Sequence, residues 1–157
     1  MSTEKPARQA VGRLVRPDDG PALADLFEAI ADPRFQPHPM TAAAAEEIAA
    51  YDGKDVYAVL ESEDGQLLAY GLLRGWDEGY AVPSLGVAVR ADHRRRGYGR
   101  QMMVWLGEEA RRRGADRIRL RVHEDNRAAR DLYSALGYVV TGEERGELVM
   151  VLELAAR

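Results

Sequence analysis

Two stretches of this sequence gather residue types that could do chemistry, and the first is suited to holding an anion. It runs Val87-Ala88-Val89-Arg90-Ala91-Asp92-His93-Arg94-Arg95-Arg96-Gly97-Tyr98-Gly99-Arg100, from a strand pattern through a glycine-bearing loop into a helix. Gly97 and Gly99 open backbone conformations closed to other residues and let N–H groups approach a ligand. A helix starting there presents unpaired donors and the positive end of its dipole, which suits phosphate oxygens. Cations at that end cost about 0.3 to 1 kcal/mol each, so Arg94, Arg95 and Arg96 point to something negative bound nearby. The plainer reading is three arginines lying in water, and RxxGxG alone is a weak pattern. A dinucleotide-binding GxGxxG would start nearer its strand, and no GxxxxGK[ST] is present.

The second stretch is Asn126-Arg127-Ala128-Ala129-Arg130-Asp131-Leu132-Tyr133-Ser134-Ala135-Leu136-Gly137-Tyr138. Asn126 and Tyr133 lie two helical turns apart, so an amide and a phenol hydroxyl can look toward one ligand. Taken alone, the pair reads as a capping asparagine and a core tyrosine. Arg111, Arg112 and Arg113 carry no such promise: they close a helix where cations favour the dipole, with Glu108 and Glu109 placed to pair with them.

In this order and spacing, the two stretches resemble the acyl-CoA-binding signature of the GNAT superfamily of N-acetyltransferases, over roughly Ser84 to Tyr138. The family's R/Q-x-x-G-x-G/A loop corresponds to Arg94 through Gly99. Its N-x-x-A-x-x-L-Y-x-x-x-G-F/Y helix agrees at Asn126, Ala129, Leu132, Tyr133, Gly137 and Tyr138. The resemblance implies that acetyl-CoA is the acyl donor, with its pyrophosphate wrapped by the backbone of Arg94, Arg95, Arg96, Gly97, Tyr98, Gly99 and Arg100. It also implies that Val87, Ala88 and Val89 pair with the pantetheine arm on a strand splayed from its neighbour. Asn126 and Tyr133 complete that donor site, and Tyr133 holds the position that protonates the departing sulfur. Helices at the N-terminal end shape the acceptor pocket.

The general base is missing. Many relatives carry a glutamate on the strand where this chain has Val82-Pro83-Ser84-Leu85, so deprotonation is expected through water, with Ser84, Glu78, Asp77 and His38 as weak candidates. His93 and His123 read as structural, and no His and carboxylate spacing suggests a metal site. Segment 147–152 lacks the tyrosine-rich strand of relatives that acetylate protein N-termini, which favours a small-molecule amine. Protein or peptide acetylation and a non-catalytic acyl-CoA-binding module remain as alternatives.

The elements that must position these residues form one α+β domain over residues 11–157 behind a flexible tail, 1–10. The expected architecture is a mixed, mostly antiparallel sheet of six to seven strands with about four helices. Val11–Val15 reads as a strand, and Leu23, Leu26, Phe27 and Ile30 fall at helical spacing before Pro33. A proline-rich loop follows, then an alanine-rich helix capped by Thr41 and running to about Tyr51. Val56–Leu60 and Leu67–Leu73 flank an Asp64-Gly65 hairpin signal, and Ser84–Val89 is a further strand. Gly99–Arg113 is helical, Ile118, Leu120 and Val122 alternate with arginines as in a strand, and strands close the chain near Tyr138–Val140 and Leu148–Leu154.

Composition sets the bounds. The 157 residues, 46% hydrophobic and 31% charged, suit one globular domain with no membrane span. Without cysteine the chain has no disulfide framework and no thiolate nucleophile of its own. With no secretion signal, a cytoplasmic location is the expectation. Residues 90–130 hold thirteen arginines against six acids within a chain of net charge −4. A basic segment in an acidic chain suggests a local anion site rather than nucleic acid. The acidic remainder suits a cationic amine, and a homodimer is left open.

Overall fold

The computed structural model describes residues 9–154. Residues 1–8, the greater part of the expected tail, and residues 155–157 lie outside the described residues; Ala10, at the end of that tail, is buried against the core. The chain enters through β1 (Val11–Leu14), then a short 3-10 turn and α1 (Gly20–Ile30). Arg13 ties this corner together: it donates to both carboxylate oxygens of Asp19 at 2.7 and 2.9 Å and to Glu61 at 2.6 Å. The Arg13 guanidinium holds the buried Asp19 carboxyl below the usual range.

In α1 the residues at helical spacing, Leu23, Leu26, Phe27 and Ile30, are the buried ones. The helix stops at Ala31, in the left-handed region at φ 47°, before Pro33 can interfere. Thr41 Oγ1 accepts the Ala44 N–H at 3.1 Å and so starts α2 (Ala42–Ala49). β2 (Val56–Glu61) and β3 (Leu67–Arg74) form the expected hairpin, and β4 (Ser84–Val89) adds antiparallel to β3. α3 (Tyr98–Arg112), β5 (Arg117–Val122), α4 (Arg127–Ala135), β6 (Val139–Glu144) and β7 (Glu147–Glu153) follow.

The sheet order is β1-β2-β3-β4-β5-β7-β6, antiparallel everywhere except between β4 and β5. This matches the expected fold class, with seven strands and four α-helices among the described residues. The last chain segment, β7, slots between β5 and β6. β6 runs four residues beyond the sequence reading, to Glu144, and turns through Arg145 and Gly146, both at positive φ.

Two apolar clusters flank the sheet. On one face α3 brings Met102 and Leu106 against Ala58, Leu73, Ile118 and Met150. α3 sits so close to the sheet that a Cβ on Gly71 would lie 2.8 Å from Leu106 Cδ1 and 3.0 Å from Met102 Cγ. On the other face α1 and α2 cover Val59, Tyr70, Leu72 and Ala88. The loop between these helices is strapped to the sheet. Arg74 donates to the Pro37 carbonyl at 2.5 Å. His38 Nδ1 lies 2.7 Å from the Pro39 carbonyl, which can only accept, so Nε2 is left to accept the Tyr70 hydroxyl at 2.8 Å.

Candidate active site

β4 and β5 are joined at a single register pair, Ser84 with Arg119, backed by the Arg119 N–H donating to the Pro83 carbonyl at 3.0 Å. From Leu85 onward the β5-facing edge of β4 has no strand partner, and backbone groups left in that position need partners of another kind. A cavity opens there. Leu85, Gly86 and Val87 of β4 form one side, Leu120 through His123 at the end of β5 the other, and Asn126 and Tyr133 of α4 close it. Asp32, Arg34 and Phe35 reach it from the α1–α2 loop, with Phe35 against Gly86, and Glu147 enters from β7.

Tyr133 brings a phenol hydroxyl to the cavity wall. Burial, helped by the negative charge of Asp32, pushes its hydroxyl up to about 12. It therefore keeps its proton near neutral pH, and its hydroxyl makes no side-chain hydrogen bond among the described residues. Asn126 Oδ1 caps α4 by accepting the Ala129 N–H at 3.3 Å, and the residue borders the cavity.

The glycine loop leads from the end of β4 into α3. Gly97 is the N-cap of α3 at φ 86°, a conformation that favours glycine, and a Cβ there would meet nothing within 4 Å. Arg95 is also left-handed, at φ 64°, a conformation that costs a non-glycine residue energy. The first turn of α3 has no side-chain cap, which leaves backbone N–H donors at this end of the helix of the kind that suit an anion. Gly99 differs from the sequence reading: its φ is not positive, and a Cβ would make only ordinary contacts with Val89 and Leu132. Arg95, Arg96 and Arg100 are exposed with no charged partner among the described residues.

Arg94 departs from the expectation of an unmatched cation. It donates to the Ile30 carbonyl at 2.6 Å, where a cation complements the C-terminal end of α1. Tyr98 is buried in the core under the loop, so only its backbone can serve a ligand. Ala88 likewise packs toward α1 and α2. His93 bonds to Asp92 at 2.9 Å, and Arg111, Arg112 and Arg113 pair with Glu108 and Glu109.

The proposed bases fall elsewhere. Glu78 is exposed in the loop after β3, and Ser84 sits where β4 and β5 are still joined; neither lines the cavity. Asp77 accepts the Tyr51 hydroxyl and the Lys54 N–H, and His38, held neutral by burial, belongs to the loop strap. Besides Tyr133, the titratable groups actually on the wall are Asp32, Arg34, Arg121, His123 and Glu147. Reading the sequence missed most of these. Only the pairing of β5 with β7, which places Glu147 Oε2 4.0 Å from His123 Nε2, brings that pair to the site. Among the described residues no cluster of three or more His, Asp or Glu could hold a metal.

The same fold occurs in solved acetyltransferases. The Salmonella typhimurium protein yncA, solved with acetyl-CoA, matches with TM-score 0.73 at 22% identity, covering 95% of this chain and 96% of that one. A chimera of spermidine N-acetyltransferase SpeG from Vibrio cholerae and hSSAT gives TM-score 0.77 at 18% identity, covering 93% and 96%. The Escherichia coli ribosomal-protein-S18-alanine N-acetyltransferase gives 0.70 at 20% identity, covering 95% and 96%. No curated protein sequence matches. The sequence profile of the Acetyltransferase (GNAT) family matches residues 21–138, which takes in the glycine loop, the β4–β5 opening and all of α4, and the chain belongs to that family.

Proposed function

We propose that this protein moves an acetyl group from acetyl-CoA to the amine of a small-molecule acceptor, by direct attack within a ternary complex. The observation that carries this reading is the protonated, unbonded Tyr133 hydroxyl at a gap where β4 has shed its strand partner. Acetyl-CoA, present in the yncA structure, supplies the activated acyl carbon. The cradle at Arg94 through Arg100 fits its pyrophosphate, since it offers backbone donors, a helix dipole and exposed arginines together. The open edge of β4 at Val87 offers backbone groups to the pantetheine amides and an N–H to the carbonyl oxygen as charge builds there. As the carbon–sulfur bond breaks, Tyr133 passes its proton to the sulfur.

The attacking nitrogen must be neutral, and its proton leaves through water toward the wall carboxylates, Asp32 and Glu147. These carboxylates weaken the case for a binding module without turnover, which rested on the lack of a glutamate at the start of β4. Two of the solved acetyltransferases named above are named for acceptors as unlike as spermidine and a ribosomal protein alanine, so the fold alone leaves the acceptor open. A cytoplasmic location is part of this proposal, read by cell fractionation.

The test is thiol release from acetyl-CoA across an amine panel, repeated with Tyr133→Phe. Turnover that drops in the variant while acetyl-CoA affinity holds supports the reading. A flat panel despite measured acetyl-CoA binding overturns it in favour of the binding module.

A further inference from the structure

Besides Tyr133, five charged or titratable side chains line the cavity, and matching those within 4 Å of an oppositely charged or ring-nitrogen partner leaves two unmatched among the described residues. Arg34 meets Asp125 at 3.4 Å across the mouth, and His123 faces Glu147. The Asp32 carboxylate accepts only the Arg34 backbone N–H among the described residues, at 2.9 Å, within its own turn. Arg121 makes no ion pair and no side-chain hydrogen bond among the described residues. That sets it apart on its own strand. Alternation puts Arg117, Arg119 and Arg121 on one face of β5, and the first two are paired, with Glu153 at 3.9 Å and with Glu144. Arg121 is exposed and needs no partner for the fold; its place on the cavity wall makes it available for recognition.

The two leftover charges have opposite signs. Asp32 lies near enough to Tyr133 for its charge to act on the hydroxyl, so the negative member marks the reacting end. We propose that the acceptor is a zwitterion: an amine that also bears a carboxylate, its ammonium received by Asp32 beside Tyr133 and its carboxylate by Arg121. The inference rests on the acetyl-transfer reading above. A guanidinium and a carboxylate match in a two-pronged, charge-assisted geometry. An acceptor carrying only positive charge would meet Arg121 and Arg34 with like sign, which works against it. The overall acidity of the chain therefore misleads about the acceptor, because the cavity does not share it.

The experiment measures thiol release by the full chain at saturating acetyl-CoA with matched acceptors, each amino acid against the amine lacking its carboxylate. The pairs are leucine and isoamylamine, phenylalanine and phenethylamine, lysine and cadaverine, and γ-aminobutyrate and propylamine. In at least one pair the zwitterion is expected to exceed its partner by about tenfold or more in kcat/KM, the scale of one charge-assisted bidentate contact. Arg121→Ala should raise KM for that zwitterion by about the same factor with kcat little moved, and Arg121→Lys should recover part of it. Arg117→Ala, at the other end of the strand, should keep the preference.

Plain amines used as well as or better than every zwitterion would overturn the proposal and leave acetyl transfer standing. So would a KM rise in Arg121→Ala that is equal for both members of a pair. Release with no member of any pair, although acetyl-CoA stabilises the fold, would instead remove the acetyl-transfer reading and this inference with it.

Discussion

The two edges of β5 are built in opposite ways. Toward β7 every residue from Arg117 to Val122 has a register partner, Glu153 through Leu148, and the buried side chains Ile118 and Leu120 sit in the packed core. Toward β4 one pair holds and the rest of the edge stands open. Both edges belong to the same six residues, so strand propensity cannot explain the difference. Topology does: β4 and β5 are the one parallel pair, joined through α3, and they diverge after Ser84 while the antiparallel side stays zipped. The closed edge holds the fold, and the open edge is left for a partner that the chain does not itself provide.

That contrast can be broken by experiment. The largest effect should come from the closed side, where Ile118→Ala empties a fully buried site and should cost about 2 to 5 kcal/mol of stability in urea unfolding. A small loss would mean that the closed edge is not the structural one. Next comes Tyr133→Phe on the open side, expected to lower kcat by about a hundredfold or more while leaving the melting temperature nearly unchanged. An equally large fall in stability would make the hydroxyl structural. Third, Gly97→Ala forces a side chain into a left-handed cap and should weaken acetyl-CoA by about tenfold, read as a smaller ligand-induced rise in melting temperature.

The smallest effect should come with pH. Burial lowers the folded-state value of His38, so folding favours the neutral ring. Its contribution is complete above the unfolded value of about 6.5 and declines as pH falls from there toward the lower folded value. The decline should be visible in stability measured between neutral and mildly acid pH and should be absent in His38→Gln. A variant with the same profile as the parent would show that the strap on the α1–α2 loop does not sense the proton.

Much of the closed architecture could be read from local chemistry. Thr41 and Asn126 announced their helices because a side-chain oxygen at an N-cap is a local need, and Asp64-Gly65 announced its hairpin for the same reason. β6 was read short because it is an exposed edge strand; with neither face buried, Thr141 to Glu144 show no apolar alternation. The α4 wall of the cavity is legible because that helix is continuous in sequence. The opposite wall is not. Asp32 and Phe35 sit in a proline-rich loop with no periodicity, Arg34 meets Asp125 ninety-one residues away, and Glu147 arrives only because β7 inserts beside β5. Ser84 and Glu78 lie at or before the start of β4, which is the joined end of the gap.

The contact of Arg94 with the Ile30 carbonyl has a consequence for how such a protein can be altered. That guanidinium hangs from the glycine loop proposed to hold acetyl-CoA and holds the end of α1, one residue before Ala31 and two before Asp32, where the loop of the proposed acceptor side departs. Retuning one half therefore disturbs the other, and a designer who wants a new acceptor would do better to change Arg34, Phe35 or Arg121 and leave this shared hinge pin alone.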